Sequence, residues 1–91
     1  MNNLSDFSSF ILSLASSAFY YMGESPDEKI KGEINLDIAK HTIDTISMLE
    51  KKTEGNLQQD EIKLIEDILY KLRTKFIKLK KLKNQKQRNN G

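Results

Sequence analysis

K-T-E-G-N-L, Lys52 to Leu57, separates two long apolar periods, and its reading decides the fold. Gly55 supplies the left-handed residue that ends a helix after its last turn, and Lys51 and Lys52 stand where cations suit a helix C-terminus. On the far side, Leu57 and Ile62 have the spacing of a hydrophobic staple, and Glu61 lies three residues after Gln58, in the capping-box position. A stop signal and a start signal this close together predict two helices joined by a short connection, and hence an antiparallel hairpin.

Upstream, Leu36, Ala39, Ile43, Ile46 and Leu49 recur at steps of three and four. They predict a helix over 36–52, with Asn35 as N-cap and Asp37 in the first turn. Downstream, Ile62, Ile65, Leu69, Leu72, Phe76 and Leu79 keep a heptad-like seam that Leu64, Ile68, Ile77 and Leu82 widen, which predicts a helix over 59–83 that packs on more than one neighbour. An earlier stripe of Phe7, Phe10, Ile11, Leu14, Ala18, Tyr21 and Met22 predicts a first helix over 6–22, with Ser5 as N-cap and Gly23 just past its end. Ala15, Ser16, Ser17 and Ala18 are small enough for a neighbouring helix to come close. Residues 24–35, with Pro26, Gly32 and mixed charge, read as a connecting loop.

The expected fold class is all-α: a three-helix domain with an antiparallel hairpin of helices 2 and 3 and a long basic C-terminal helix. The expected domain covers residues 1–83, followed by a disordered basic tail over 84–91. Ninety-one residues suffice for one small core, and a hydrophobic fraction of 37% keeps that core modest. The third helix outruns the second, so Ile77, Leu79 and Leu82 need cover from helix 1 or from another chain, and a homodimer is expected.

Charge is distributed unevenly. Residues 1–67 carry six lysines against all thirteen acids, a net of −7, whereas residues 68–91 carry nine Lys or Arg and no acid, a net of +9. Lys75, Lys78, Lys80, Lys81, Lys83, Lys86 and Arg88 are therefore candidate phosphate contacts, for non-specific nucleic acid or, less favoured, an anionic membrane surface. No base-reading motif, phosphate-cradling glycine loop or set of stacking aromatics accompanies them. The uncharged run Phe7–Gly23 is shorter than a typical span and holds five serines, which favours a buried helix over a membrane one. With no cysteine and no secretory leader pattern, a cytoplasmic chain is expected.

Familiar catalytic parts are scarce. His41 is the single histidine, there is no cysteine, and no serine stands beside an evident base. Asp37, His41 and Asp44 share a helical face, but three groups on one helix without a fourth ligand make a poor metal site. The expectation is a protein that is no enzyme, takes no cofactor and has no evident small-molecule substrate.

The run I-D-x-I-x-x-L-x-x-K-T-E-G-N-L from Ile43 to Leu57, with Glu61 and L-Y-K-L-R from Leu69 to Arg73, resembles the small bacterial family catalogued as domain of unknown function 1844. Ser13 to Ala15, Ala18, Gly23, Ala39 and Lys40 extend the likeness, so it covers roughly Phe7 to Phe76. The resemblance implies an α-helical protein with no assigned activity. Gln58 stands where the pattern has Thr or Ser, and the lysine-rich extension beyond Lys80 lies outside it. Within the shared region Lys52, Thr53, Asn56, Asp44, Tyr70 and Arg73 have no evident core duty. They are the candidate edge for an unknown protein partner, with an Asp44–Arg73 ion pair across the hairpin as the structural alternative.

Overall fold

The computed structural model describes residues 6–25 and 32–89, with the side chains of the last helix described through Asn84. Three helices make up the fold: α1 (Phe7–Tyr20), α2 (Leu36–Lys52) and α3 (Gln59–Asn89), and the described residues contain no strand. The protein is all-α.

Local chemistry accounts for each helix end. Asp6, rather than Ser5, caps α1, its Oδ1 accepting the Ser9 N–H at 2.8 Å; Ser5 lies outside the described residues. At the other end Gly23 N–H donates to the Tyr20 carbonyl at 3.0 Å and Glu24 N–H to the Phe19 carbonyl at 2.9 Å. This is the Schellman pair, with Gly23 at φ +93°. The regular helix stops at Tyr20, two residues short of the expected Met22, because the chain is already turning into that cap. Asn35 Oδ1 accepts the Ile38 N–H at 3.2 Å to start α2. Glu61 reaches back to the Gln58 N–H at 2.8 Å to start α3.

At the second connection, α2 ends and α3 begins where the caps imply. α3, by contrast, runs to Asn89, so residues 84–89 are helical although the apolar period expires near Lys83. The period reports only what packs; beyond it Gln85, Lys86, Gln87 and Arg88 are good helix formers, and no glycine or proline interrupts them before Gly91.

The buried core draws on all three helices: Ile11, Ala15, Ala18 and Met22 at the α1 end, Ala39, Ile43 and Ile46 from α2, and Ile65, Ile68, Leu69 and Leu72 from α3. Burial of each large member contributes roughly 1.5–3 kcal/mol. Ala15, Ala18 and Ala39 let the helices approach closely. Along α2 and α3, Leu36 shares a groove with Leu79, Arg73 bonds Ser47, and Thr53 shares a pocket with Ile62. One number rises as the other falls, so the two helices run in opposite directions. Leu79 is half-buried because residues 34–36 reach it, while Ile77 and Leu82 stay 54% and 53% exposed.

One close approach fixes how α1 meets α2. The chain returns past the α1 cap so tightly that a Cβ on Gly32 would lie 2.6 Å from the Tyr20 carbonyl oxygen and 2.6 Å from the Gly23 carbonyl carbon. Three residues on, Asn35 N–H donates to the Tyr21 carbonyl at 2.8 Å. Asn35 thus satisfies an orphan carbonyl of one helix with its backbone and an orphan N–H of the next with its side chain. Lys75 Nζ ties α3 to the same corner through Glu24 Oε2 at 2.7 Å.

Gly32→Ala is expected to destabilise by about 1–3 kcal/mol, since the clash is with backbone atoms that cannot rotate away. Gly55→Ala is expected to lose only about 1 kcal/mol: Gly55 has φ +87° but nothing within 4 Å of its Cβ position, so only the left-handed conformation is penalised. Urea melts of the two variants should show that order, and a Gly32→Ala protein as stable as wild type would refute the close approach.

Candidate functional site

Of the six candidate edge residues, the structure brings together some and separates others. Thr53 is the C-cap of α2: its Oγ1 donates to the Leu49 carbonyl at 2.7 Å, its N–H donates to the same oxygen at 3.0 Å, and its own carbonyl accepts the Asn56 N–H at 2.9 Å. It is half-buried and holds the turn. Lys52 and Asn56 are exposed on either side of it, and neither lines the grooves described below.

The ion pair expected between Asp44 and Arg73 does not form. Asp44 takes Lys40, one turn back on its own helix, at 2.7 Å, and Arg73 Nη2 donates to Ser47 Oγ at 3.1 Å. The reason is angular: Ser47 lies on the α2 flank that faces α3, whereas Asp44 is turned about 60° further toward solvent, at 100° per helical residue. Both members of the Lys40–Asp44 pair are about three-fifths exposed, so it adds little to stability.

Tyr70 and Arg73 do belong to one surface. With Glu50 of α2 and Glu66, Thr74 and Ile77 of α3 they line a groove of about 380 Å³ along the α2–α3 seam. A second groove of about 380 Å³, with Leu57, Ile62 and Ile65 as its apolar lining, opens at the hairpin turn and shares Glu50 and Glu66 with the first. The two therefore make one continuous flank. Its apolar marks are Tyr70, 73% exposed, and Ile77, 54% exposed, set among two carboxylates and a guanidinium.

Sequence reasoning missed Ser47, Glu50, Glu66 and Ile77 as parts of this surface, although the pattern holds a signal for two of them, Glu66 and Ile77. Glu66, Tyr70, Arg73 and Ile77 each follow by one residue a member of the core stripe Ile65, Leu69, Leu72 and Phe76. A 4-3-4 spacing displaced by one residue is a second face, beside the buried one.

The candidate phosphate contacts are also divided. Lys75 is held by Glu24, and Lys80 sits 5.8 Å from the centre of the Phe76 ring, covering the edge of the core. Lys78, Lys81 and Lys83 are exposed, and the side chains of Lys86 and Arg88 lie outside those described. By the helical step, Lys80 and Lys83 project to one side and Lys78 and Lys81 to another, so the cations surround the helix rather than forming a stripe. Among the described residues no group of three His, Cys, Asp or Glu side chains is placed to hold a metal ion, and no described helix is long and apolar enough to cross a membrane.

The family model for the domain of unknown function (DUF1844) matches residues 5–78, and the chain belongs to that family. The match takes in the turn and the whole Glu66–Ile77 flank, and it ends before Lys80. No curated protein and no solved structure matches the chain significantly.

Thr53→Val, which keeps the shape and removes the hydroxyl, is expected to destabilise by about 0.5–1.5 kcal/mol through loss of its bond to Leu49. Lys52→Ala and Asn56→Ala are expected to stay within about 0.5 kcal/mol of wild type, as surface groups do. Equal losses in chemical denaturation of all three variants would show that the turn does not divide its duties this way.

Proposed function

We propose that the protein is a non-catalytic helical interaction module, and that it contacts its partner through the flank formed by Glu50, Glu66, Tyr70, Arg73 and Ile77. The exposed Tyr70 carries this reading. A tyrosine 73% exposed beside an arginine and a half-exposed isoleucine has the composition of an interface centre. Glu50, Glu66 and Arg73 supply the polar rim that aligns a partner. The reading fits a cytoplasmic chain.

Within this reading Thr53 supports the flank from behind, and Lys52, Asn56 and Asp44 stand beside it rather than on it. Binding of nucleic acid by the tail is the second reading, and exposed Lys78, Lys81 and Lys83 favour it. Cations distributed around a helix suit a polyanion without register, and such binding would be non-specific. A membrane surface fits less well: Leu79 is committed to the core, and Ile77 and Leu82 point about 140° apart by the helical step, which leaves no apolar face to lie on lipid.

Affinity capture with the wild-type chain and with Tyr70→Ala separates the readings. A stoichiometric macromolecular partner is expected to be retained by the wild type and weakened by about 2 kcal/mol or more in the variant, while the stability of the variant changes by only about 0.5 kcal/mol. Identical retention by both would refute the flank as the contact surface. Capture of mixed-sequence DNA or RNA that falls steeply with added salt, and is untouched by Tyr70→Ala, would replace the first reading with the second.

A further inference from the structure

We propose that the occupant of the α2–α3 flank is a second copy of this chain, docked with its α3 antiparallel to the first across Tyr70 and Ile77. The inference rests on the interaction-module reading and names its partner.

Charge along α3 supplies the first argument. Asp60, Glu61, Glu66 and Asp67 lie in its first three turns against one lysine, Lys63, whereas from Lys71 onward every charged residue is Lys or Arg. Two such helices side by side in parallel would set cations against cations. In the antiparallel sense each acidic end lies beside the other's basic end, and one two-fold operation satisfies both. A foreign acidic protein would answer only the C-terminal half and leave the acidic end without a counterpart.

Apolar geometry supplies the second argument and selects the register. Tyr70 and Ile77 are seven residues apart on one face, so a two-fold axis passing beside Arg73 and Thr74 lays Tyr70 of each copy on Ile77 of the other. That single register, chosen for the apolar pair, also sets Lys80 and Lys81 opposite Asp67 and Glu66 of the second copy. The two arginines nearest the axis are kept apart because each guanidinium is drawn back onto Ser47 of its own α2.

The third argument is length. α2 has 17 residues and α3 has 31, about 25 Å against about 46 Å at the α-helical rise. Leu79, Leu82 and Lys83 share a groove with Leu36 at the very start of α2, and α3 runs on past that point to Asn89 as an overhang. An antiparallel copy places its hairpin end, with Glu50, Glu54 and Glu66 around the second groove, beside this overhang. The contact is narrow, one helix flank against another, so its affinity falls in the range of weak, exchanging dimers.

The chain contains no cysteine, so single cysteines report the register directly. In the full chain, Thr74→Cys next to the axis is expected to give a disulfide-linked dimer under mild oxidation, and Leu12→Cys, also exposed but on α1, is expected to give none. Sedimentation of the wild type at about 100 μM, where a micromolar dimer is mostly associated, should show dimer at low salt and a shift toward monomer at about 1 M salt. Glu66→Lys should weaken association about tenfold, and Lys81→Glu added to it should restore association, as expected for a rim charge pair; helical circular dichroism confirms that each variant folds. A wild-type monomer at that concentration, equal cross-linking through Leu12→Cys, or no rescue by the second charge change overturns the proposal. A monomer that still captures another protein in a Tyr70-dependent way overturns self-pairing alone, and a chain that neither associates nor captures removes the module reading as well.

Discussion

The architecture depends on the backbone contact between the end of α1 and the start of α2. A core in which the described residues contribute eleven buried hydrophobics, three of them alanines, leaves little margin for helices that approach at the wrong angle. Gly32 sets the distance by having no side chain, and Asn35 sets the orientation by bonding Tyr21 with its N–H and Ile38 with its side chain. Only with α1 held there do Ile11, Ala18 and Met22 become fully buried against α2 and α3. The Lys75–Glu24 contact then anchors α3 to the same corner. Two short-range hydrogen bonds and one absent methyl group thus direct a much larger amount of apolar burial.

How much of this was legible in the residues follows from the range of each signal. Caps and staples act over three or four residues, so Asn35, Gly55, Leu57 and Glu61 marked the ends of α2 and the start of α3 without knowledge of any tertiary contact. Gly32 looked like ordinary loop composition, because the reason for it lies in Tyr20 and Gly23, nine and more residues away. The extent of α3 was hidden for a different cause: hydrophobic period measures burial, while Gln85, Lys86, Gln87 and Arg88 favour helix through propensity, which that period does not record.

The surface was half legible. Tyr70 and Arg73 are legible in the shared L-Y-K-L-R run because neither falls on the apolar stripe, a criterion that serves for large side chains on a helix. Thr53 is a natural turn residue able to bond local backbone, and its hydroxyl does so, donating to a carbonyl four residues back. Pairing opposite charges across the hairpin misplaced Arg73: a 60° difference on α2 decides between Ser47 and Asp44, and height along a helix carries no information about angle. Lys40, one turn before Asp44, also offered that carboxylate a nearer partner on its own helix.

The charge order of α3 has a consequence for motion rather than for structure. Its acids lie at the end where the peptide dipoles are positive and its cations toward the end where they are negative, so side chains and backbone oppose each other and the helix is favoured locally. Over the whole molecule the balance differs, because the side-chain charges far exceed the half-charges of the backbone and are spread along a body 52 Å long. In an external field such a body feels a torque on its separated charges as well as the pull on its net charge of +2. A charged surface approached through water would therefore meet it tail first or hairpin first according to sign, and ionic strength would govern how often the approach is productive.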